Sequence, residues 1–222
     1  MPTTPGSPAG TGPPGSDTTT GTPGSGARSP GAGTRGQARA RLLDAAMAYF
    51  GSRGISDLSL RQLAGALGTS HRMLIYHFGS KEGLLTEVVR AVEQGQRELW
   101  GELVRDPELD PSERPRRLWQ RVSDPELEPF ARLFFEIYGQ ALQGREPATA
   151  LLDGDIESWL RPSIESLVEN GMPAERAEPM ARLGLAVARG LLLDLLATGQ
   201  RAAVTDAFEL FLSLYQRAEP AG

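Results

Sequence analysis

SLRQLAGALGTSHRMLIYHFGSKEGLL, residues Ser59 to Leu85, is the stretch on which the fold turns. Leu60, Leu63, Ala64 and Leu67 recur at i, i+3, i+4 and i+7, the apolar stripe of one short helix. Ser59 stands before them as an N-cap whose hydroxyl can accept a bond from an orphan amide. Gly68 ends the helix, because glycine enters the left-handed region without a Cβ penalty. Thr69 and Ser70 then cap a second helix, with Met73, Leu74 and Phe78 expected to face inward. Gly79-Ser80 resets the chain, and Ser80 caps a third helix opening with Lys81-Glu82. Two short helices joined by a tight glycine turn make a helix-turn-helix, whose second rod has the size to enter a DNA major groove.

Over roughly fifty residues, Arg39 to Val89, the chain resembles the tetracycline-repressor (TetR) family of transcriptional regulators. The resemblance is carried by Gly68-Thr69-Ser70, by Leu74-Ile75-Tyr76-His77-Phe78 and by Ser80-Lys81-Glu82-Gly83-Leu84-Leu85. These match a Gly-x-Ser turn, a Leu-Tyr-Tyr-His-Phe-like run and a Ser-Lys-Glu-x-Leu-Leu helix start. Ile75 departs from the pattern, standing where the family usually places a DNA-contacting tyrosine. The resemblance therefore implies Tyr76 and His77 as the aromatic contacts, and Lys81 as a contact to the DNA backbone.

Position along the second rod divides the roles. His71 and Arg72 open it, where side chains most easily reach base edges, and an arginine pairs bidentately with guanine. Tyr76 and His77 suit phosphate. Lys81, the chain's single lysine, lies at a helix N-terminus where amide dipoles also favour an anion. Ser59, Thr69 and Ser70 either donate to phosphate or serve only as caps. A metal site at His71 and His77 is not expected: they lie on different helical faces, and no third histidine or cysteine exists.

Charge follows the same division. Arg35 to Glu82 holds six arginines and one lysine against three acids, whereas Gly83 to Gly222 holds fifteen arginines against twenty-four. A basic unit on an acidic body binds DNA through that unit while the body stands clear of phosphates. Cysteine is absent, which removes disulfides, thiolate catalysis and Cys-based metal sites. The N-terminus lacks the basic and apolar regions of a signal peptide, and Leu183 to Ala197 is too short to span a bilayer and carries Arg189 and Asp194. A cytoplasmic protein without membrane contact is expected.

Twenty-eight of the first 34 residues are Gly, Pro, Ser or Thr, a composition that buries too little apolar area to offset ordering. Residues 1–34 are therefore expected to be a disordered extension, residues 35–82 the DNA-binding domain, and residues 83–222 a ligand-binding and dimerisation domain. Arg28, Arg35, Arg39 and Arg41 are too dispersed to make the extension a strong minor-groove arm.

From Gln37 onward the chain reads as helix. Leu42, Leu43, Ala46, Met47 and Phe50 form the face of a bracing first helix ended by Gly51 and Gly54, with Ile55 and Leu58 below it. A long amphipathic helix runs from Lys81 towards Val104, weakened at Gly95. Prolines punctuate the rest into helices near 112–122, 125–142, 149–169, 174–197 and 201–217. Alternating strand patterns are absent. The fold class is all-α, a three-helix helix-turn-helix unit on a bundle of about six further helices.

The segment from Met180 to Ala197 is apolar on most sides and rich in Ala and Gly, and its successor carries Val204, Phe208, Leu210, Phe211, Leu212 and Leu214. An apolar band wider than one stripe needs a second partner: either the core of one subunit or a two-fold four-helix interface. The family resemblance implies the interface and a homodimer. It also implies a small-molecule pocket in the bundle, for which Trp100, Trp119, Phe134, Tyr138 and Trp159 are the candidate lining. Arg132, Glu136, Gln140, Asp153, Asp155 and Glu157 are the polar candidates.

These readings converge on a sequence-specific regulator of double-stranded DNA, a repressor released from a palindromic operator by a small effector, with no cofactor. A constitutive or architectural DNA-binding protein with a filled core is the alternative. A helical enzyme would need paired acidic or Glu-x-x-His motifs on facing helices; Asp153-Gly154-Asp155 is isolated, so catalysis is not expected.

Overall fold

The structure, a computed structural model, describes residues 30–53, 58–153 and 155–218. Among them nine α-helices follow one another: α1 (Pro30–Arg53), α2 (Leu60–Ala66), α3 (His71–Phe78), α4 (Lys81–Arg105), α5 (Arg114–Val122), α6 (Glu128–Leu142), α7 (Asp155–Glu169), α8 (Ala174–Thr198) and α9 (Arg201–Ala218). Two 3-10 turns, Pro125–Leu127 and Ala148–Leu151, precede α6 and α7. The chain is all-α, a helix-turn-helix unit on a helical body.

Several boundaries differ from expectation. The helix α1 begins at Pro30 rather than Gln37. Proline is tolerated in a first helical turn, where its missing N–H would be unbonded anyway. The expected disordered extension otherwise falls on residues 1–29, outside the described residues, as do Gly54 and Ile55. The helix also runs through Gly51 to Arg53. Gly95 does not interrupt α4, which stays regular over 25 residues. The helix expected from Thr149 is divided into the 3-10 turn and α7.

One hydrophobic core runs through the unit and into the body. Ala46 and Phe50 of α1, Leu63 and Ala64 of α2, and Leu74 and Phe78 of α3 pack in one cluster with Leu84, Val88 and Val89 of α4 and Leu133, Phe134 and Ile137 of α6. A second cluster gathers Trp119 of α5, Leu195 of α8 and Val204, Phe208 and Leu212 of α9. Trp119 stacks on Phe208 at 4.7 Å. Arg116 ties the same two helices together, its Nε donating to both Glu209 oxygens at 3.0 and 2.9 Å. That carboxylate holds the Arg116 guanidinium above its ordinary value.

Candidate functional site

The helix-turn-helix is built by local hydrogen bonds. Ser59 and Gln62 form a capping box: the Gln62 amide donates to Ser59 Oγ, and the Ser59 amide donates to Gln62 Oε1 at 2.9 Å. Ser59 Oγ also donates to Gln62 Oε1 at 2.7 Å, so its proton is occupied within the cap. Gly68 takes φ +64°, letting the Thr69 amide reach the Ala64 carbonyl at 2.9 Å and close α2. Ser70 caps α3 by accepting from the Met73 amide at 3.2 Å. Gly79, at φ +77°, ends α3, and Ser80 caps α4 by accepting from Gly83 at 2.9 Å.

The turn leaves α3 seated on its inner face alone. Leu74 and Phe78 are buried, whereas His71, Arg72, Ile75 and Tyr76 are exposed together with Ser70. Met73, expected inward, is 38% exposed. With Leu74 and Phe78 four residues apart filling the contact with the core, a neighbour one position away is turned towards the rim. Thr69, His77 and Lys81 are half-buried. His77 Nε2 is buried without a partner among the described residues, so a phosphate contact from this ring needs Nδ1.

Two arginines of α1 reach the C-terminal end of α3. Arg35 lies over the Tyr76 ring at 6.0 Å, and Arg39 over Phe78 at 5.2 Å. Arg39 also pairs with Glu87 of α4. The sequence placed Arg39 at the start of the first helix and Arg35 just ahead of it, and gave no sign that either faces α3. That pairing is tertiary.

Deeper in the body, α4 to α9 enclose a cavity of about 630 Å³. Trp100, Trp119, Phe134 and Trp159 line it, and Tyr138 does not. Tyr138 stands behind the wall, stacked on Phe134 at 5.3 Å. None of the six expected polar residues lines it either. Arg132 pairs with Glu128, Gln140 bonds Glu136, and Glu157 pairs with Arg161, all on exposed helix faces. The polar lining includes Glu93, Gln96, Ser163, Arg114, Asp110 and Arg189. Trp159 Nε1 donates to Glu93 at 3.2 Å, and Trp100 Nε1 donates to Ser163 Oγ at 3.0 Å. Arg189 approaches Glu93 at 3.9 Å and lies over Phe134 at 5.3 Å. Asp110 accepts from the Ser112 amide at 2.8 Å, and Ser112 holds its carboxyl below the usual range. Spacing on α4 puts Glu93, Gln96 and Trp100 on one face, a signal that was present. Their partners on α7 and α8 were not legible.

The outer faces of the last two helices are apolar seams. On α8, Leu183, Ala186, Gly190, Leu193 and Ala197 are exposed at alternating steps of three and four; on α9 the same holds for Ala203, Ala207, Leu210 and Leu214. No helix among the described residues is long and apolar enough to cross a membrane, and no group of three metal-ligating side chains occurs among them.

Residues 42–88 match the family model of bacterial regulatory proteins, tetR family. Over 47 residues the chain is 49% identical to the HTH-type transcriptional regulatory protein RaaS of Mycobacterium tuberculosis (strain ATCC 25618 / H37Rv), 21% of this chain and 22% of that protein. The match thus spans about a fifth of that relative's length. A transcriptional regulator from Rhodococcus sp. Rha1 superposes with a TM-score of 0.66 at 19% identity, over 83% of this chain and 99% of that one. A TetR transcriptional regulator from Legionella pneumophila gives 0.62 at 18%, over 78% and 94%. The multidrug binding protein EbrR, in complex with imidazole, gives 0.57 at 25%, over 84% and 92%. The first two likenesses are ones of fold.

Proposed function

We propose that this chain, whose residues 42–88 match the tetR-family model and whose fold is that of solved regulators, belongs to that family and is a homodimeric repressor released from a palindromic operator by a small molecule. The matched family is one of regulatory proteins, which favours a regulator over the helical-enzyme alternative. The observation that carries the proposal is the outward face of α3. Arg72 and His71 open the helix exposed, and Ile75 and Tyr76 continue the same surface. Arg72 pairs with guanine, Ile75 packs on a thymine methyl, and Tyr76, His77, Thr69, Ser70 and Lys81 hold phosphate. Ser59, its proton already bonded to Gln62, contributes through its cap.

One such helix reads too few base pairs for specificity. Two copies about 34 Å apart read a palindrome. The α8 and α9 seams support the pairing, since steps of three and four set small and large apolar side chains along one helix edge. Residues 35–82 then read DNA in the cytoplasm, while residues 83–222 pair the subunits and take the effector. The cavity favours an effector over a constitutive factor with a filled core. Val89 and Phe130 belong both to its wall and to the core beneath α1–α3, giving a bound molecule leverage on the heads. A ligand preferring the conformation with misplaced heads shifts the population off the operator.

Selection of bound sites from a random duplex library tests this reading. A two-fold symmetric consensus is expected. Arg72→Ala should relax one position of each half-site by about 1–3 kcal/mol. Lys81→Ala should weaken all sites alike and lower the salt slope by about one. A chain that retains no duplex at low salt, or selects sites without symmetry, refutes the proposal.

A further inference from the structure

Three buried side-chain atoms among the described residues have no hydrogen-bond partner, and two of them, Gln96 Oε1 and Arg114 Nε, belong to residues lining the cavity. The Arg114 guanidinium is otherwise fixed, with one terminal nitrogen donating to the Asp106 carbonyl at 2.9 Å. Gln96 is different. It is only 7% exposed, it lies on α4 one turn from the Trp100 rung to Ser163, and its Oε1 has no partner within the described residues. A buried polar group without a partner is costly, and a ligand group that bonds it recovers that cost. The last torsion of a glutamine is broad and two-fold, so its carboxamide can turn either oxygen or amide into the cavity.

Charge narrows the class of ligand. The ionisable lining residues are Glu93, Asp110, Arg114 and Arg189, two of each sign. Glu93 is already compensated by the Trp159 indole N–H and the Arg189 guanidinium. Arg189 is in turn spread over the faces of Phe134 and Tyr138, at 5.3 and 5.5 Å. A cation entering the cavity would compete with Arg189 for Glu93, and an anion would compete with Glu93 for Arg189. Either exchange breaks a pair in a desolvated site. The remaining wall is mostly aromatic and aliphatic, and the volume is that of a drug-sized molecule.

We infer that the cavity takes an uncharged aromatic molecule carrying a hydroxyl, and that Gln96 is the residue that selects the hydroxyl. The inference deepens the effector reading above and rests on it for its biological meaning, but binding is measurable without DNA.

The chain's three tryptophans, Trp100, Trp119 and Trp159, all line the cavity, so intrinsic fluorescence of the full chain reports occupancy. Four probes of one shape separate the terms: 4-hydroxystilbene, 4-methoxystilbene, stilbene-4-carboxylate and 4-(trimethylammonio)stilbene. The hydroxyl compound should bind about 5- to 10-fold more tightly than its methyl ether, the range of one net hydrogen bond. Both ions should bind more weakly than either neutral compound. Gln96→Leu should bring hydroxyl and methoxyl compounds within about twofold of each other. Gln96→Met, closer in shape, gives the same reading if the leucine variant does not fold. Equal binding of the two neutral compounds to the parent chain overturns the inference. So does a preference that survives loss of the carboxamide, an ion that binds tightest, or the absence of quenching by all four. A Gln96-dependent preference that leaves the operator complex intact upholds the ligand class and overturns effector release instead.

Discussion

Helix α3 and helix α8 both leave large apolar side chains in water, yet the two surfaces are arranged differently. On α3, Met73, Ile75 and Tyr76 are 38, 40 and 57% exposed, and they share the exposed surface with His71 and Arg72, with Arg35 of α1 over Tyr76. On α8, Leu183 and Leu193 are exposed to similar degree but stand on a single edge with Ala186, Gly190 and Ala197 between and beyond them. A mixed patch with cations at its border suits a groove floored by bases and walled by phosphates. A seam of apolar and small residues suits a second helix of the same kind. Exposure alone therefore does not assign a surface; the neighbours do.

That contrast is easiest to break at the seam. Replacing Leu193 and Leu210 together by aspartate puts four charges into the proposed two-fold interface. Sedimentation should show a monomer, and operator affinity should fall by about 100-fold or more, because a lone head loses the avidity of the pair. The same charges leave the buried positions on these helices untouched, so thermal unfolding should remain cooperative. A variant that still sediments as a dimer would mean the subunits meet elsewhere.

A smaller effect separates the two faces of α3. Leu74 is fully buried and Ile75 is its exposed neighbour. Leu74→Ala should cost about 2–5 kcal/mol of stability through lost burial and a residual cavity. Ile75→Ala should change stability by less than about 0.5 kcal/mol, as surface substitutions do. The second variant should instead lose its preference for thymine at one operator position. Chemical denaturation and site selection on the two proteins test the pair. Equal destabilisation by both would mean that α3 is packed on all sides.

The helix-turn-helix was legible because its signals are local. Ser59, Gly68, Ser70, Gly79 and Ser80 each act on an amide or a dihedral within a few residues, and all five stand where the sequence places them. The apolar periodicity of α2 and α4 was equally direct. Met73 was misplaced because an eight-residue helix packed by one pair of side chains has a rim that periodicity does not resolve. The cavity was legible only in its aromatics. Its polar members meet across α4, α7 and α8, and single-helix patterns contain nothing to distinguish Glu93, paired inside, from Glu157, paired in solvent. Tyr138 shows the same limit from the other side: an aromatic at the right helical spacing, but one layer behind the wall.

Between the two regions, α1 meets α6 at a glycine, and there the expected effect is smallest. A Cβ at Gly51 would lie 3.4 and 3.5 Å from two atoms of the Phe130 ring, ordinary contact rather than a clash. Phe130 lines the cavity and belongs to the core under α3. Gly51→Ala should therefore fit, gaining less than about 1 kcal/mol from helix propensity. Valine at the same place is branched and reaches further, so it should push the ring towards the cavity. Operator affinity should stay within about twofold in both variants, since a fixed packing change that favours neither head spacing shifts no equilibrium. The ligand concentration needed to release DNA should rise for valine alone. If valine weakens operator binding in the absence of ligand, α1 and α6 transmit strain directly to the heads.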